Sequence, residues 1–452
     1  MRKGETTERL EPKFYLPKYK ENEDNIKKSE FPKYQFKQIT ALISDGTHFT
    51  PKYTEHGIKF LSVKDVRPFE IDYTHCKFIS AEEADILDKR CRPQRNDILL
   101  TKVGTCGFAS AVKSDERFQL FVSVALLRPN PSLILPDFFA LCINSNLIYL
   151  QFERVVKGAG VPDLHLEDIR KIKIPVPPLQ IQAEIVAMFE SAYAQKRAKE
   201  SEAKALLAGT DGYLLEKLGI HLPETTERKK FFYVRSGQLS GKRFDPFYHQ
   251  NEFDELEKAL RSGKYRIANF KDLITDLKNG VEIRNYADSG FRYLRVTDLD
   301  KHSISNANMR FVNVSEIPSK IRLNKNCILI ARSGSLGLVS AVTDELLNCI
   351  LSSHIFKTEL NISLVKPEYL EFYFRSILGQ KQFMRKNNGG VIPEISQSAL
   401  KSVLIPIPPL AVQTEIAAHI SETGAKAKQL EHDAKAITEQ AKQNAENMIL
   451  GQ

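Results

Sequence analysis

Apolar positions along this chain fall into two alternating textures. Over about residues 30 to 175, and again over about 265 to 405, short β-rich runs such as Lys59–Val63, Asp97–Thr101, Leu120–Leu127 and Cys327–Ala331 are broken by Gly, Pro and Asn turns, which predicts compact mixed α/β or β-rich domains. Where the prolines stop, the period changes. From Leu179 to about Ala208 there is no Pro or Gly, and Ile181, Ile185, Met188, Phe189 and Ala192 return at helical spacing. A second run carries Val412, Ile416, Ile420, Leu430, Ala434, Ile437, Ala441, Ala445 and Met448, nearly heptad-like beneath a coat of Lys, Glu and Gln. These are long amphipathic helices, spanning ~45 Å and ~60 Å at ~1.5 Å per residue. A stripe that long needs cover. Either the two helices pair antiparallel, with one globular domain at each end under pseudo-two-fold symmetry, or each folds back onto its own domain; the narrow stripes favour pairing.

The textures alternate because the chain is a repeat. Ile174-Pro175-Val176-Pro177-Pro178-Leu179 returns as Ile405-Pro406-Ile407-Pro408-Pro409-Leu410 at an offset of 231 residues. Lys59 to Val66 pairs with Arg292 to Leu299 at 233, and Asp97 to Leu100 with Lys102 and Gly104 pairs with Cys327 to Ile330 with Arg332 and Gly334 at 230. Gly160 and Pro162 match Gly390 and Pro393 with one residue inserted, while Arg9 to Pro12 aligns with Arg243 to Pro246, and Gly46 with Gly280. Chance matching of apolar runs does not hold an offset across half a chain. Two similar domains follow, not a solenoid, whose period is far shorter.

At 452 residues the chain suits two or three domains, and 42% apolar residues support folded cores. A net charge of +9 suggests a polyanionic partner, though weakly. The six cysteines, Cys76, Cys91, Cys106, Cys142, Cys327 and Cys349, form no CxxC pair and read as reduced thiols, not as a zinc site or disulfide framework. With no apolar leader after Met1 and no run of 18 apolar residues, a soluble cytoplasmic protein without membrane contact is expected.

The tails Gly160-Val161-Pro162 with Ile174 to Leu179, Gln182 and Glu184, and Gly390 to Pro393 with Ile405 to Leu410, Gln413 and Glu415, carry a resemblance. With the opening segments Arg9 to Pro12 and Arg243 to Pro246 and the turn Asp45-Gly46-Thr47-His48-Phe49-Thr50-Pro51, the chain resembles the specificity subunits of type I restriction-modification systems along essentially its whole length. The resemblance implies an α+β fold: two homologous globular mixed α/β target-recognition domains joined by two long antiparallel helices, the family's conserved regions, with pseudo-two-fold symmetry. The corresponding bounds are 1–175 and 223–405 for the recognition domains, and 176–222 and 406–452 for the helical spacers. It further implies a non-catalytic subunit that binds a bipartite double-stranded DNA target, with two methylation subunits docked on the helices and restriction subunits joining through them. No cofactor is expected on this chain, S-adenosylmethionine belonging to the methylation subunit. One departure stands out: where the first copy has Asp45 to Pro51, the second has Lys278-Asn279-Gly280-Val281-Glu282.

Base reading needs donors and acceptors on loops, with basic residues near phosphate and glycines that let backbone amides approach. The candidates in the first copy are Asp45, Gly46, Thr47, His48, Lys52, Lys102, Gly104, Thr105, Lys157 and Gly160. In the second they are Lys278, Asn279, Arg284, Arg332, Ser333, Lys386, Asn387 and Asn388. Each loop alone could equally be an ordinary solvated turn; the matched placing of Lys102 with Arg332, and of the basic segments ending at Gly160 and Gly390, favours a shared task. For helix packing the candidates are Ile181, Ile185, Phe189, Ile416, Ile420, Leu430 and Ile437.

Catalytic signatures are only approximated in this sequence. Gly237 to Arg243 is one residue short of a phosphate-binding loop, and Gly158 to Asp163 only approximates GxGxxG, with Pro162 interrupting a helix start. Both Pro-Pro pairs run into Leu, so no NPPY-like or DPPY-like methyltransferase tetrapeptide is present. Glu202-Ala203-Lys204 sits in a helix, where i and i+2 face apart. His48 has no nucleophile to serve and reads as a DNA contact or turn stabiliser. The rival readings are a self-contained DNA methyltransferase or nuclease, which S-adenosylmethionine binding by the isolated chain would revive, and a helical adaptor that does not read DNA.

Overall fold

The computed structural model describes residues 12–158, 160–223, 231–239, 243–300 and 304–451. Arg9, Leu10 and Glu11 of the first opening segment, and Gly241 and Lys242, lie outside the described residues. The chain divides into two compact units, Met1–Lys199 with His432–Gln452, and Glu200–Glu431.

In the first unit the strands Thr40–Asp45, Val124–Pro129, Ile98–Thr101 and Ala109–Ala111 form an antiparallel sheet in that spatial order. Ile98–Thr101 and Ala109–Ala111 are buried along their whole length, because the helix Pro136–Ile143 covers one face and a second sheet covers the other. That second sheet orders Phe118–Leu120, Ile58–Leu61, Lys77–Ile79 and Tyr53–Thr54, its first pair parallel. The proline motif has a structural reason. Lys173–Pro175 pairs with Lys33–Gln35 alone, and an edge ribbon is where a residue without an N–H is tolerated.

The second unit repeats the plan. Ile274–Asn279, Ile355–Leu360, Cys327–Ala331 and Val339–Ala341 form the antiparallel sheet, and Phe291–Leu294 lies between Arg310–Val312 and a parallel partner, Cys349–Leu351. Leu404–Pro406 pairs with Ile267–Asn269. Phe36 and Phe270 hold equivalent positions, and each meets a phenylalanine edge-to-face, Phe139 at 4.8 Å and, one turn further along the matching helix, Phe374 at 5.2 Å between centroids.

The first long helix, Leu179–Leu218, runs 40 residues, ten beyond the run expected to stop near Ala208. It passes through Gly209 and Gly212, where the sequence pattern signals a stop. A helical glycine costs only about 1 kcal/mol, and burial of Leu214 and Leu218 beside Leu256 and Leu260 offsets that. The second long helix is Leu410–Leu450. Within each unit the helix segments run antiparallel. In the second unit, Tyr213 stacks on His419 at 3.8 Å and, four residues on, Lys217 pairs with Glu415 four residues back. In the first unit Lys199 meets Asp433 at 3.1 Å, and the earlier Ile185 and Phe189 share a core with the later Ala445 and Ile449.

Of the expected packing residues, Ile185, Phe189, Ile416 and Ile420 are buried, whereas Ile181, Leu430 and Ile437 are only half-buried. The second helix buries the expected Ala434, Ala441 and Ala445 more deeply, together with Ala427. Small side chains at a seam let helix axes approach, which leaves a neighbouring leucine at the margin.

Candidate nucleic-acid interface

Three loops of the first copy converge. Asp45, 2% exposed, ends its strand, and the chain turns at Gly46 so close to the neighbouring strand that a Cβ there would lie 1.9 Å from the Leu120 carbonyl oxygen. The Asp45 carboxylate is held by the Arg90 guanidinium and by Lys102 Nζ at 3.4 Å, with the His48 ring beside them. Arg90, which the sequence reading missed, also donates to the Asp45 and Gly46 carbonyls at 3.2 and 3.1 Å. Its guanidinium donates to His48 Nε2 at 2.9 Å, so that ring nitrogen acts as an acceptor and His48 stabilises the turn. Only the burial pattern of a helix followed by Arg at its end could have hinted at Arg90.

Lys102 was expected to grip phosphate. The structure buries it, 5% exposed, between Asp45 and Asp163, the latter at 3.7 Å, so it serves as an internal counter-ion. Its backbone closes a latch: Leu164 N donates to the Lys102 carbonyl at 2.8 Å and Gly104 N to the Pro162 carbonyl at 2.9 Å. Lys157 exchanges backbone bonds with Asp163 and pairs with Asp168 at 3.1 Å. Gly104, Thr105 and Gly160 remain exposed around this junction, and Lys52 is exposed with no ion pair among the described residues. Thr47 is buried, its hydroxyl bonded to the Phe49 carbonyl at 3.2 Å.

The second copy rebuilds the frame with other side chains. A Cβ on Gly280 would lie 2.2 Å from the Ser352 carbonyl oxygen, and Val281 bridges Ser352 in parallel as Thr47 bridges Phe121. The missing turn motif is therefore present as backbone geometry, which one shared glycine was too little to reveal. The latch recurs as Ile395 N to the Arg332 carbonyl and Gly334 N to the Pro393 carbonyl, both 2.9 Å. Arg332 pairs with Glu394 at 2.6 Å, and Ser333 meets His354 at 2.6 Å. Asn279 accepts from Gln397 at 3.0 Å, Lys278 pairs with Asp276 at 3.2 Å, and Arg284 is exposed, its side chain 86% accessible beside Glu282.

Asn387 and Asn388 mainly shape their own loop: the Asn387 side chain accepts from Gly389 and Glu394 amides at 3.0 and 2.9 Å, and Asn388 N donates to the Glu394 carbonyl at 2.7 Å. Lys386 turns away to donate to Ser402 Oγ at 2.7 Å. Burial, with Arg385 adjacent, pushes its ammonium down to about 8. It lines a cavity of about 220 Å³ with Tyr248, Phe253 and Arg385, so its expected role at phosphate is not the one its side chain is placed for.

The glutamines of the proline motifs are tethers. Gln182 and Gln413 are fully buried. Gln182 accepts from Leu135 N at 2.8 Å and donates to the Leu133 and Pro177 carbonyls at 2.9 and 2.8 Å; Gln413 repeats this with Lys366 N, Leu364 and Pro408 at 2.8, 2.9 and 2.9 Å. Each ties the start of a long helix to its own recognition domain. At the far ends, acids reach the other copy's domain: Glu446 accepts from Asn146 N at 2.6 Å in the first unit, and Asp211 from Ile377 N at 3.1 Å in the second. Both lie at helix N-termini, and burial raises both carboxyls above their usual range.

Duplicated α/β domains, each with a backbone-latched frame of loops and each followed by a long helix, define a two-domain, helix-linked architecture. The family model described as the type I restriction modification DNA specificity domain matches twice, over residues 52–206 and 277–439, and the chain belongs to that family. It is similar to the EcoBI type I restriction enzyme specificity subunit of Escherichia coli, 30% identical over 152 residues, covering 34% of this chain and 32% of that one. It is also similar to the EcoKI specificity subunit of Escherichia coli strain K12, 23% identical over 317 residues, 68% of this chain and 62% of that one. The matches thus span about a third and about three fifths of those relatives' lengths. A chain from a structure described as the structural basis underlying complex assembly and conformational transition of the type I R-M system shares the fold, with TM-score 0.57, 14% identity, and coverage of 93% of this chain and 96% of that one. Among the described residues no helix is long and apolar enough to cross a membrane.

Proposed function

We propose that this chain is the DNA-reading subunit of a type I restriction-modification complex, each recognition domain binding one half of a split double-stranded target. The long helices set the separation of the halves and seat two methylation subunits, through which restriction subunits join. The chain performs no chemistry; S-adenosylmethionine binds the methylation subunit, in the cytoplasm.

One observation carries this reading: the two copies share a backbone frame, Gly46 and Gly280 with the same latch, yet present different exposed groups on it. A shared frame with divergent polar tips is what two unlike half-sites require. Selection of bound fragments from random duplexes by the full chain tests it. Two enriched blocks separated by a fixed, unselected gap are expected; a single continuous block, or no enrichment, would refute the reading.

A further inference from the structure

A loop ahead of the last short helix and strand of each recognition domain holds aliphatic side chains out in solvent. Val161 is 62% exposed, Ile392 at the matching position 65%, and the inserted Val391 102%. A Cβ on Gly158 would lie 2.1 Å from the Val161 carbonyl oxygen and one on Gly389 1.9 Å from that of Ile392, so each loop curls back as only glycine permits. Prolines following the tips, Pro162 and Pro393, are latched by Gly104 N and Gly334 N, both at 2.9 Å. Backbone bonds between Lys157 and Asp163, and from Asn388 to Glu394, close the bases of the loops.

A hydrogen-bonded loop that displays an apolar side chain gains nothing from it in the free chain, since the group is left in water and buries no area. Both copies do it. The apolar area is one or two side chains, far below what a protein interface or membrane surface needs. It is set among polar and charged groups, Thr105 and the Lys157–Asp168 pair in the first copy, Ser333, Asn388 and the Arg332–Glu394 pair in the second. An aliphatic tip in a polar setting matches the apolar parts of DNA, a thymine methyl in the major groove or the face of a base exposed at a kinked step.

We propose that Val161 and the Val391–Ile392 pair are DNA-contacting tips that press on bases, one in each half-site. This rests on the DNA-recognition reading above and adds a contact whose energy is apolar, not electrostatic.

The test compares the full chain with Val161→Ser and with the double variant Val391→Ser, Ile392→Ser on duplexes carrying the selected target. Thermal midpoints should not move, because the side chains are already in solvent. Specific affinity should fall roughly tenfold for each, the scale of burying one aliphatic group, while the slope of log affinity against log salt stays that of the parent, since no phosphate contact is lost. Val391→Leu should retain parental affinity. Uracil in place of thymine, and 2-aminopurine fluorescence at steps within each half-site, separate the two sources. Loss on uracil DNA that the serine variants do not deepen assigns a methyl contact, and fluorescence gained by the parent but not by the variants assigns an opened step. Serine variants that bind like a specifically binding parent overturn the tips alone, as does a weakened variant with a shallower salt slope; a parent without sequence preference overturns the DNA-recognition reading and the tips together.

Discussion

The two loop clusters share a latch and differ in how charge is placed behind it. In the first, Asp45 is buried and gathers Arg90, His48 and Lys102, and Lys102 spans on to Asp163. In the second, Asn279 stands where the acid would be, and Arg332 pairs with Glu394, both partly exposed. Backbone bonds survive the duplication because each closes a turn whose amides need partners whatever the side chains are. Side-chain ion pairs are freer to diverge, since water can replace a half-exposed partner.

The tethers should show the strongest equivalence. Gln182→Ala would strand a buried amide and two carbonyls, and Gln413→Ala the same set, so each should cost about 3 kcal/mol or more in chemical denaturation. Values differing by more than about half would mean that the two copies are not built alike at this joint.

The charge networks should show the contrast. Asp45→Asn leaves Lys102 buried with only its longer contact to Asp163, and a loss of about 3 kcal/mol is expected. Glu394→Gln removes a partly exposed pair, for which less than about 1 kcal/mol is expected. Equal losses in the two variants would erase the distinction between buried and open clusters.

Much of this architecture is legible in the amino acids. The repeat, the proline tails and the long helices follow from offsets and periods, which local patterns encode directly. What escaped were properties of pairing. Arg90 lies 42 residues from His48, and nothing local joins them. Lys102 and Arg332 share a position because each holds an acid, at 163 and 394, across a latch; the sequence shows that both are basic and cannot show that both are already paired. Ala434 and Ala441 belong to the stripe that the period marks, but periodicity does not show that they, with Ala427, are buried while Leu430 and Ile437 stay at the margin, since close helix contact favours the smaller side chain.

The smallest effect concerns the helix-end acids. Since burial raises the Asp211 and Glu446 carboxyls, the folded chain holds those protons more readily than the unfolded one. Their ionised forms therefore cost stability at neutral pH, and the cost shrinks as pH falls through the folded pKa and is gone below about 4, where the unfolded groups also protonate. Asp211→Asn and Glu446→Gln keep an acceptor for Ile377 N and Asn146 N. Each should be at least as stable as the parent at pH 7, with any gap closing toward pH 4. A gap that widens on acidification would contradict the raised carboxyls.

The most direct test of the central claim is the methylome of the source cells, read by single-molecule sequencing with the chain intact and with its gene deleted. The account predicts methylated adenines in an asymmetric target of two blocks with a fixed gap, all lost on deletion. Methylation of such sites that persists without the chain, or a target without a gap, would contradict it.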